Sequence, residues 1–382
     1  MTQEDFDNLC REEIRRVVEE NRHRDPLEVA LDKRVPHAAL VATQVKYLKR
    51  AEAKLPSYAA AGCILPPRAF EQASSEEVSA CHHLAGDRVL DLTCGLGVDA
   101  LTLSRSFREV VTLERDPLLA AITRENFRRL GATNITLINT SAEEYLPTST
   151  ETFDWIYADP DRRNAEGRKQ VRLEDCSPNI LALRESLQRL APRLCLKNSP
   201  LFDIEEAFRL FPRSRVEVLS RQDECKEVVI YTGEEQPMRV AVAVGRGQVA
   251  VAEADYDRSP SPQPFEAERY RWLIIPDVAL QKARLVAHHL RSVAWVGSEN
   301  GYAFAEEPPT EVLGRVFAID RIEPFNPKAL KRLWKGQKVE ILKREFHSTP
   351  EAIRRQIGAR EGSDHRLAFT EIDGRGWTIF LK

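Results

Sequence analysis

The sequence lacks the features of a membrane-spanning, disulfide-bonded or metal-binding protein. No apolar run reaches the roughly 18 residues of a transmembrane helix, and the charged first residues leave no apolar stretch for a signal peptide. The seven cysteines form no CxxC pair, and the eight histidines include no HExxH motif. We therefore expect reduced thiols in a cytoplasmic protein, with no bound metal and no membrane partner.

An excess of charge of one sign is also missing. The 56 Lys and Arg residues nearly balance the 59 Asp and Glu residues, for a net charge of −3. Any affinity for nucleic acid must therefore come from a local patch. Hydrophobic content of 42% and charged content of 30% are typical of a globular protein. A chain of 382 residues is too long for one ordinary core, which favours two or three domains.

Hydrophobic periodicity divides the chain into three parts. Residues 3–60 have helical spacing, whereas short apolar strands alternate with helical stretches from about 88 to 235. That alternation predicts an α/β domain with a mostly parallel, seven-stranded sheet. A segment rich in proline and serine near 256–268 then precedes an α+β pattern. The predicted parts are a helical segment at 1–62, the α/β domain at 63–255 and a smaller α+β domain at 256–382.

A glycine loop follows the first predicted strand, in RVLDLTCGLGVDALTLS. Gly95, Gly97 and Ala100 match G-x-G-x-x-[GA], and Glu114 ends the next strand. Such glycines let a ligand approach the backbone, and an acid at that position accepts ribose hydroxyls. The spacing predicts a nucleoside cofactor, with a tight turn packed for structural reasons as the alternative.

Asp91 bears on the choice between nucleoside cofactors. It ends the first strand, four residues before Gly95. A carboxylate facing the loop repels the pyrophosphate of NAD but suits a cation, such as the amino group of S-adenosylmethionine. This position favours S-adenosylmethionine over NAD.

The same residues resemble the class I S-adenosylmethionine-dependent methyltransferases. Asp91-x-x-x-Gly95-x-Gly97 is similar to their motif I, and Asp159-Pro160 is similar to their motif IV. The resemblance implies the Rossmann-like class I methyltransferase fold and S-adenosylmethionine as cofactor. The cofactor contacts that it implies are Gln72, Ser74, Asp91, Thr93, Cys94, Gly95, Gly97, Asp99, Glu114, Arg115, Ala142, Glu143 and Asp159.

Five blocks narrow the resemblance: EQASSE (71–76), DLTCGLGVD (91–99), DPDRR (159–163), KNSPLFD (197–203) and ECKE (224–227). They resemble a bacterial methyltransferase family with a C-terminal THUMP-like domain, whose members are described as candidate RNA methyltransferases. DLTCGLGVDALTLS followed by LERDP is also similar to the guanine-N2 methyltransferases of small-subunit ribosomal RNA. That family usually has a small residue where this chain has Asp161.

The charged corner YADPDRR is the predicted catalytic position. The lone pair of an exocyclic amine is delocalised into its base, which makes the amine a poor nucleophile. Asp159 and the carbonyl of Pro160 can accept its two N–H bonds and so localise the lone pair. Arg162, where amino-group methyltransferases usually have an aromatic residue, can stack on a base or pair with a nearby carboxylate. Arg163 can hold phosphate or pair in the same way.

Two further assignments are open between a functional and a structural role, and a third is structural. Gln72, Ser74 and Ser75 either close over the methionine end of the cofactor or belong to a helix N-cap. Lys197 either meets substrate phosphate or is a solvated lysine. Cys94 is a small loop residue, because methyl transfer to nitrogen needs no thiol.

A basic region lies near the C-terminus. Residues 328–360 contain ten Lys and Arg residues but three Asp and Glu residues, and Trp334 lies among the lysines. This favours an RNA-docking surface, with a solvated helix face and a core tryptophan as the alternative. Methylation of a protein or small molecule, or RNA binding without catalysis, are the alternative functions. The predicted RNA contacts are Arg163, Lys197, Lys331, Arg332, Lys335, Lys343 and Arg344.

Overall fold

The computed structural model describes residues 1–161 and 172–382. The predicted corner residues Arg162 and Arg163 lie outside the described residues. No helix within those two ranges is long and apolar enough to cross a bilayer.

The chain forms two compact units. The first comprises Met1–Asp203 and Val229–Glu234, and the second comprises Ile204–Val228 and Glu235–Lys382. The finer division into three domains stays a prediction.

The first unit begins with seven helices that pack beside the glycine loop. Apolar side chains of the first six helices form one cluster with Leu96, Val98 and Ile122. The Tyr58 hydroxyl donates to the Leu96 carbonyl at 3.1 Å, which fixes the helical segment to the loop. These helices are α1 (Gln3–Cys10), α2 (Glu12–Glu20), α3 (Pro26–Leu31), α4 (Ala38–Lys54), α5 (Pro56–Ala60), α6 (Pro67–Gln72) and α7 (Glu76–Ser79).

Five parallel strands follow, in the spatial order β3-β2-β1-β4-β5. The strands are β1 (Gly86–Asp91), β2 (Phe107–Leu113), β3 (Ile135–Ile138), β4 (Trp155–Ala158) and β5 (Arg193–Asn198). The intervening helices are α8 (Val98–Leu103), α9 (Pro117–Leu130), α10 (Ala142–Thr148) and α11 (Arg184–Leu190), with a 3₁₀ turn at Leu173–Asp175. Strand β1 lies between β2 and β4, and its last three residues are buried. A central strand of a parallel sheet is covered on both faces, which accounts for the apolar residues Val89 and Leu90.

Local sequence signals account for the ends of helix α9. The Asp116 side chain accepts from the backbone N–H groups of Leu118 and Leu119, Pro117 occupies the first turn, and Gly131 ends the helix in the left-handed region. This helix supplies residues that pack beneath the glycine loop.

The second unit contains the remaining part of the α/β pattern and the C-terminal α+β pattern. Strand β6 pairs in parallel with β8, and β8 forms an antiparallel hairpin with β9. The elements of the first part are α12 (Ile204–Leu210), β6 (Ser214–Arg221), β7 (Glu224–Thr232), β8 (Met238–Ala243) and β9 (Gly247–Ala252). The last residues of β7 belong to the first unit.

The C-terminal part is built on an eight-stranded sheet in the order β11-β12-β10-β13-β17-β16-β14-β15. Its strands are β10 (Trp272–Pro276), β11 (Trp295–Val296), β12 (Ala303–Ala305), β13 (Gly314–Pro324), β14 (Lys338–Lys343), β15 (Arg360–Glu361), β16 (His365–Ile372) and β17 (Arg375–Leu381). Its helices are α13 (Val278–Ala283), α14 (Val286–Leu290), α15 (Pro327–Trp334) and α16 (Pro350–Ile357).

The predicted fold class is confirmed. Each of the seven apolar runs between residues 88 and 235 forms a strand, β1 to β7, and the predicted hairpin is β8–β9. The predicted number of seven strands is wrong, because the antiparallel strands β8 and β9 bring the sheet to nine strands. Arg284 adopts a left-handed conformation with φ 59°, which ends α13 before α14 begins.

Candidate active site

A cleft of about 730 Å³ opens in the first unit, where β1, β2, β4 and β5 end. This edge is where open α/β sheets bind ligands, and the volume suits a small-molecule site. The predicted residues that line the cleft are Gln72, Ser74, Thr93, Cys94, Gly95, Asp99, Glu114, Arg115, Ala142, Glu143, Asp159 and Pro160.

The two glycines of the loop are required for different structural reasons. Both have positive φ, 55° at Gly95 and 83° at Gly97. A Cβ atom at Gly95 would meet nothing within 4 Å, and Gly95 lines the cleft. A Cβ atom at Gly97 would lie 2.5 Å from Cζ of Phe127. Gly95 therefore leaves room for a ligand, whereas Gly97 allows helix α9 to pack against the loop.

Asp91 does not face the cleft, which corrects the prediction that it contacts the cofactor. Its side chain is buried, with the residue 1% exposed. Oδ2 accepts from the Thr112 hydroxyl at 2.6 Å, and Oδ1 accepts from the Thr93 backbone N–H at 2.9 Å. Burial raises the pKa of this carboxyl to about 7, against the effect of those hydrogen bonds. Asp91 therefore stabilises the conformation of the loop through its hydrogen bonds to Thr93 and Thr112.

Glu114 is the acid that does line the cleft. Oε2 accepts from the Gly95 backbone N–H and Oε1 from the Asp116 backbone N–H, both at 2.9 Å. Burial raises the pKa of the carboxyl, although both hydrogen bonds oppose that shift. Each carboxylate oxygen has a second lone pair, so Glu114 can still accept from a ribose hydroxyl. Its position fits the role predicted for it.

The catalytic corner is joined to the glycine loop by one hydrogen bond. The Asp159 backbone N–H donates to Oγ1 of Thr93 at 2.7 Å. Two residues on, Asp161 exchanges backbone hydrogen bonds of 2.8 and 3.0 Å with Ser177. Asp159 and Pro160 thus reach the same cleft as Gly95 and Glu114.

Lys197 is buried, which corrects the prediction that it contacts RNA. It is 4% exposed, and its Nζ lies 2.7 Å from Oδ2 of Asp159 and 3.1 Å from Oδ2 of Asp99. The same Nζ donates to Oγ of Ser74 at 2.7 Å. A lysine held by two carboxylates inside the protein is neither solvated nor available to phosphate.

The carboxylate of Asp99 is stabilised in its charged form. Burial acts to raise its pKa, but the charges of Lys197 and His82 and a hydrogen bond from Ser79 lower it to about 2. Burial also raises the pKa of the Cys94 thiol well above its ordinary value. A protonated, buried thiol is a poor nucleophile, which agrees with the predicted inert role of Cys94.

The sequence left two roles open for the segment before the first strand, helix capping and formation of the site, and different residues fill them. Ser75 is the N-cap of α7, since its side chain accepts from the Val78 backbone N–H. Ser74, one residue earlier, contacts Lys197 and lines the cleft together with Gln72. Capping and site formation are therefore both present, in adjacent residues.

Several cleft residues were not predicted. Arg68, Ser177 and Pro178 line the cleft, and Leu201 does so with 64% of its surface exposed. Leu201 follows β5, and the carboxyl ends of parallel strands meet at one edge of a sheet. The sequence therefore contained a signal that could have placed Leu201 at the cleft. Ser177 has no such signal, because its pairing with Asp161 is a long-range backbone contact.

In the second unit, the predicted basic residues lie in or near helix α15 and at the end of strand β14. Lys331 and Arg332 belong to α15, Lys335 follows it directly and Lys343 ends β14. All four are exposed, and no carboxylate among the described residues pairs with any of them. Trp334 instead packs against the core, with its ring centroid 4.7 Å from that of His365.

Arg344 differs from these four basic residues. It is half-buried, and its guanidinium donates to the side chain of Gln281. We therefore define the basic face by the exposed residues at the end of α15, which are Lys331, Arg332 and Lys335.

Two family models match segments of the chain. Conserved hypothetical protein 95 matches residues 70–173, and THUMP domain-like matches residues 314–382. The first segment holds most of the cleft and the second holds the basic face. These matches confirm the resemblance inferred from the sequence.

Curated relatives match the glycine-loop region. A "Ribosomal RNA small subunit methyltransferase J" of Coxiella burnetii (strain Dugway 5J108-111) is 31% identical over 132 residues, or 30% of this chain and 52% of the relative. The protein of that name from Francisella tularensis subsp. novicida (strain U112) is 38% identical over 80 residues, or 19% of this chain and 33% of the relative. The chain spans about half the length of the first relative and a third of the second.

One solved structure matches nearly the whole chain. The crystal structure of a candidate methyltransferase from Porphyromonas gingivalis W83 is 22% identical, covers 97% of both chains and has a TM-score of 0.81. At that identity the likeness shows the fold, which is the predicted Rossmann-like methyltransferase fold.

Proposed function

We propose that the protein is an S-adenosylmethionine-dependent methyltransferase that methylates a base nitrogen of structured RNA, ribosomal or transfer, with guanine N2 as the first candidate. The observation that carries the proposal is the single cleft shared by Gly95, Glu114 and the Asp159-Pro160 corner. The curated relatives support RNA as the substrate class. The similarity of DLTCGLGVDALTLS to guanine-N2 methyltransferases supports the choice of base.

The cleft fits S-adenosylmethionine better than a dinucleotide. In the described part of the chain, seven carboxylate residues but two arginines line it. Such a surface disfavours a pyrophosphate and accommodates a ligand that carries a sulfonium and an ammonium group. Open space at Gly95 leaves room for the ligand against the loop, and Glu114 is placed to accept from its ribose.

The corner residues then act by position and charge. S-adenosylmethionine, when bound, supplies an electrophilic methyl group on a sulfonium that is already a good leaving group. Asp159 and the Pro160 carbonyl accept the N–H bonds of the exocyclic amine and hold its lone pair toward that methyl group. As the new N–C bond forms, the C–S bond of the sulfonium would break, S-adenosylhomocysteine would leave as a neutral thioether, and the surplus N–H proton would pass to solvent. These roles require no metal ligand from the chain.

An acidic cleft cannot hold the RNA backbone, so a separate surface has to do so. The basic face of the second unit supplies exposed cations without carboxylate partners in the described residues. Lysine and arginine contacts to phosphate are largely independent of sequence and release counterions. We therefore infer that the basic face docks RNA phosphates.

The function is tested by nucleoside mass spectrometry. Ribosomal and transfer RNA are purified from the source organism with and without the gene, and their methylated nucleosides are quantified. We expect one methylated guanosine to disappear and to return when the wild-type gene is restored. An unchanged profile, together with S-adenosylmethionine binding by the purified protein, would favour a protein or small-molecule substrate.

Neutralising the basic face is expected to weaken RNA binding without affecting the cleft. The triple variant Lys331→Gln/Arg332→Gln/Lys335→Gln should reduce the slope of log affinity against log salt by about 3, because about one counterion is released per phosphate contact. Its affinity for S-adenosylhomocysteine should match that of the wild type. The matched control is Lys33→Gln, an exposed lysine of the first unit. An unchanged salt slope in the triple variant would remove the basic face from the proposal.

A further inference from the structure

We propose that Lys197 is a positioning residue, which holds Asp159 ionised and oriented for the methyl transfer proposed above. The inference rests on that proposed function and extends it to a residue outside the corner. It replaces the RNA contact that the sequence predicted for Lys197.

The geometry places one buried cation between three chain segments. Nζ of Lys197, at the end of β5, contacts Asp159 at the corner, Asp99 in helix α8 and Ser74 in the loop before α7. The distances to the three oxygen atoms are 2.7, 3.1 and 2.7 Å. An ammonium group has three donors, and these contacts use all of them. The side chain is thereby held in one orientation.

The positive charge of Lys197 affects the ionisation of Asp159. Two carboxylates that share a buried site compete for a proton, because only one of them ionises readily. A cation that contacts both of them removes that competition. The ionised carboxylate of Asp159 is a stronger acceptor for the amine N–H than the protonated acid, so Lys197 maintains the form that the reaction uses.

Other charged groups near this cluster do not replace Lys197. His82 Nδ1 lies 4.0 Å from Oδ1 of Asp99, whereas Lys197 contacts Oδ2 of the same carboxylate. Asp91 is buried beneath the loop, and the charge of Asp99 contributes to raising the pKa of its carboxyl. Asp161 follows Asp159 by two residues and also lines the cleft. The loss of Lys197 therefore leaves the carboxylates of Asp159 and Asp99 without the cation that contacts both of them.

The test compares pH–rate profiles of Lys197→Met and Lys197→Arg. Methionine keeps the length of the side chain and removes its charge. We expect Lys197→Met to lose about 100-fold in kcat near pH 7, with the deficit shrinking as pH rises, because one carboxylate now retains its proton to higher pH. Lys197→Arg, which keeps the charge, should recover at least about tenfold of that loss and retain the wild-type position of the acidic limb.

The variant Asp99→Asn should shift the acidic limb of the pH–rate profile in the direction opposite to that of Lys197→Met. Removing the competing carboxylate should move the acidic limb to lower pH, and it should partly restore the limb when combined with Lys197→Met. If Lys197→Met fails to fold, the single Asp99→Asn and Lys197→Arg profiles still decide the question. Folding is monitored by circular dichroism and by binding of S-adenosylhomocysteine.

Two results would overturn the proposal, and a third would instead reject the proposed function. The proposal fails if Lys197→Met loses activity equally at every pH, or if it behaves like the exposed-lysine control Lys33→Met. The assay measures methyl transfer from labelled S-adenosylmethionine to total RNA of the strain without the gene. If the wild-type protein transfers no label to that RNA, the proposed function fails independently of Lys197.

Discussion

Replacing Asp159 by alanine is expected to lower kcat for methyl transfer by about 10²–10³-fold, the usual effect of removing one hydrogen-bonding group from a reacting centre. The amine then loses an acceptor for one N–H bond, and Lys197 loses one of its two carboxylate partners. The loss should appear mainly in kcat. It is measured as single-turnover transfer of labelled methyl groups to RNA from the strain without the gene.

Two variants serve as controls for Asp159→Ala. Asp159→Asn keeps the shape of the side chain but not its charge, and we expect a loss of about 10²-fold or more if ionisation matters. Asp87→Ala removes an exposed carboxylate that pairs with Arg108 at the surface, where solvent screens the ion pair. It should retain wild-type activity. Full activity of Asp159→Ala would remove the corner from the mechanism.

Gly97→Ala is expected to destabilise the first unit by about 2–4 kcal/mol, the combined cost of overpacking and of a left-handed alanine. The new Cβ atom would lie 2.5 Å from Phe127 and 2.9 Å from Thr123, both in helix α9. The expected change is a lower midpoint of urea unfolding with an unchanged slope.

Gly95→Ala is the matched comparison for Gly97→Ala. It carries a similar positive φ, but its Cβ atom would meet nothing within 4 Å. We expect a cost of about 1 kcal/mol in stability and a weaker affinity for S-adenosylhomocysteine, measured by calorimetry. Equal destabilisation of the two variants, or unchanged cofactor affinity in Gly95→Ala, would contradict the distinction between a packing glycine and a cleft glycine.

Local signals were sufficient for the order of the elements and for the edge that carries the site. The apolar runs that became β1 to β7 are short and bounded by turns or helices, so their periodicity is readable without the fold. The carboxyl ends of parallel strands meet at one edge, which placed the glycine loop, Glu114 and the Asp159 corner together. The chemistry of these residue types then indicated the cofactor class.

The direction in which individual side chains point was decided only by the tertiary structure. Asp91 and Glu114 both end strands of the same sheet, yet Asp91 turns beneath the loop to Thr112 and Glu114 lines the cleft. Lys197 has the sequence context of an exposed phosphate ligand, but Asp99, 98 residues away in the chain, meets it in the interior. Burial and ion pairing arise from contacts between distant segments, and no local pattern in the sequence records which segments will meet.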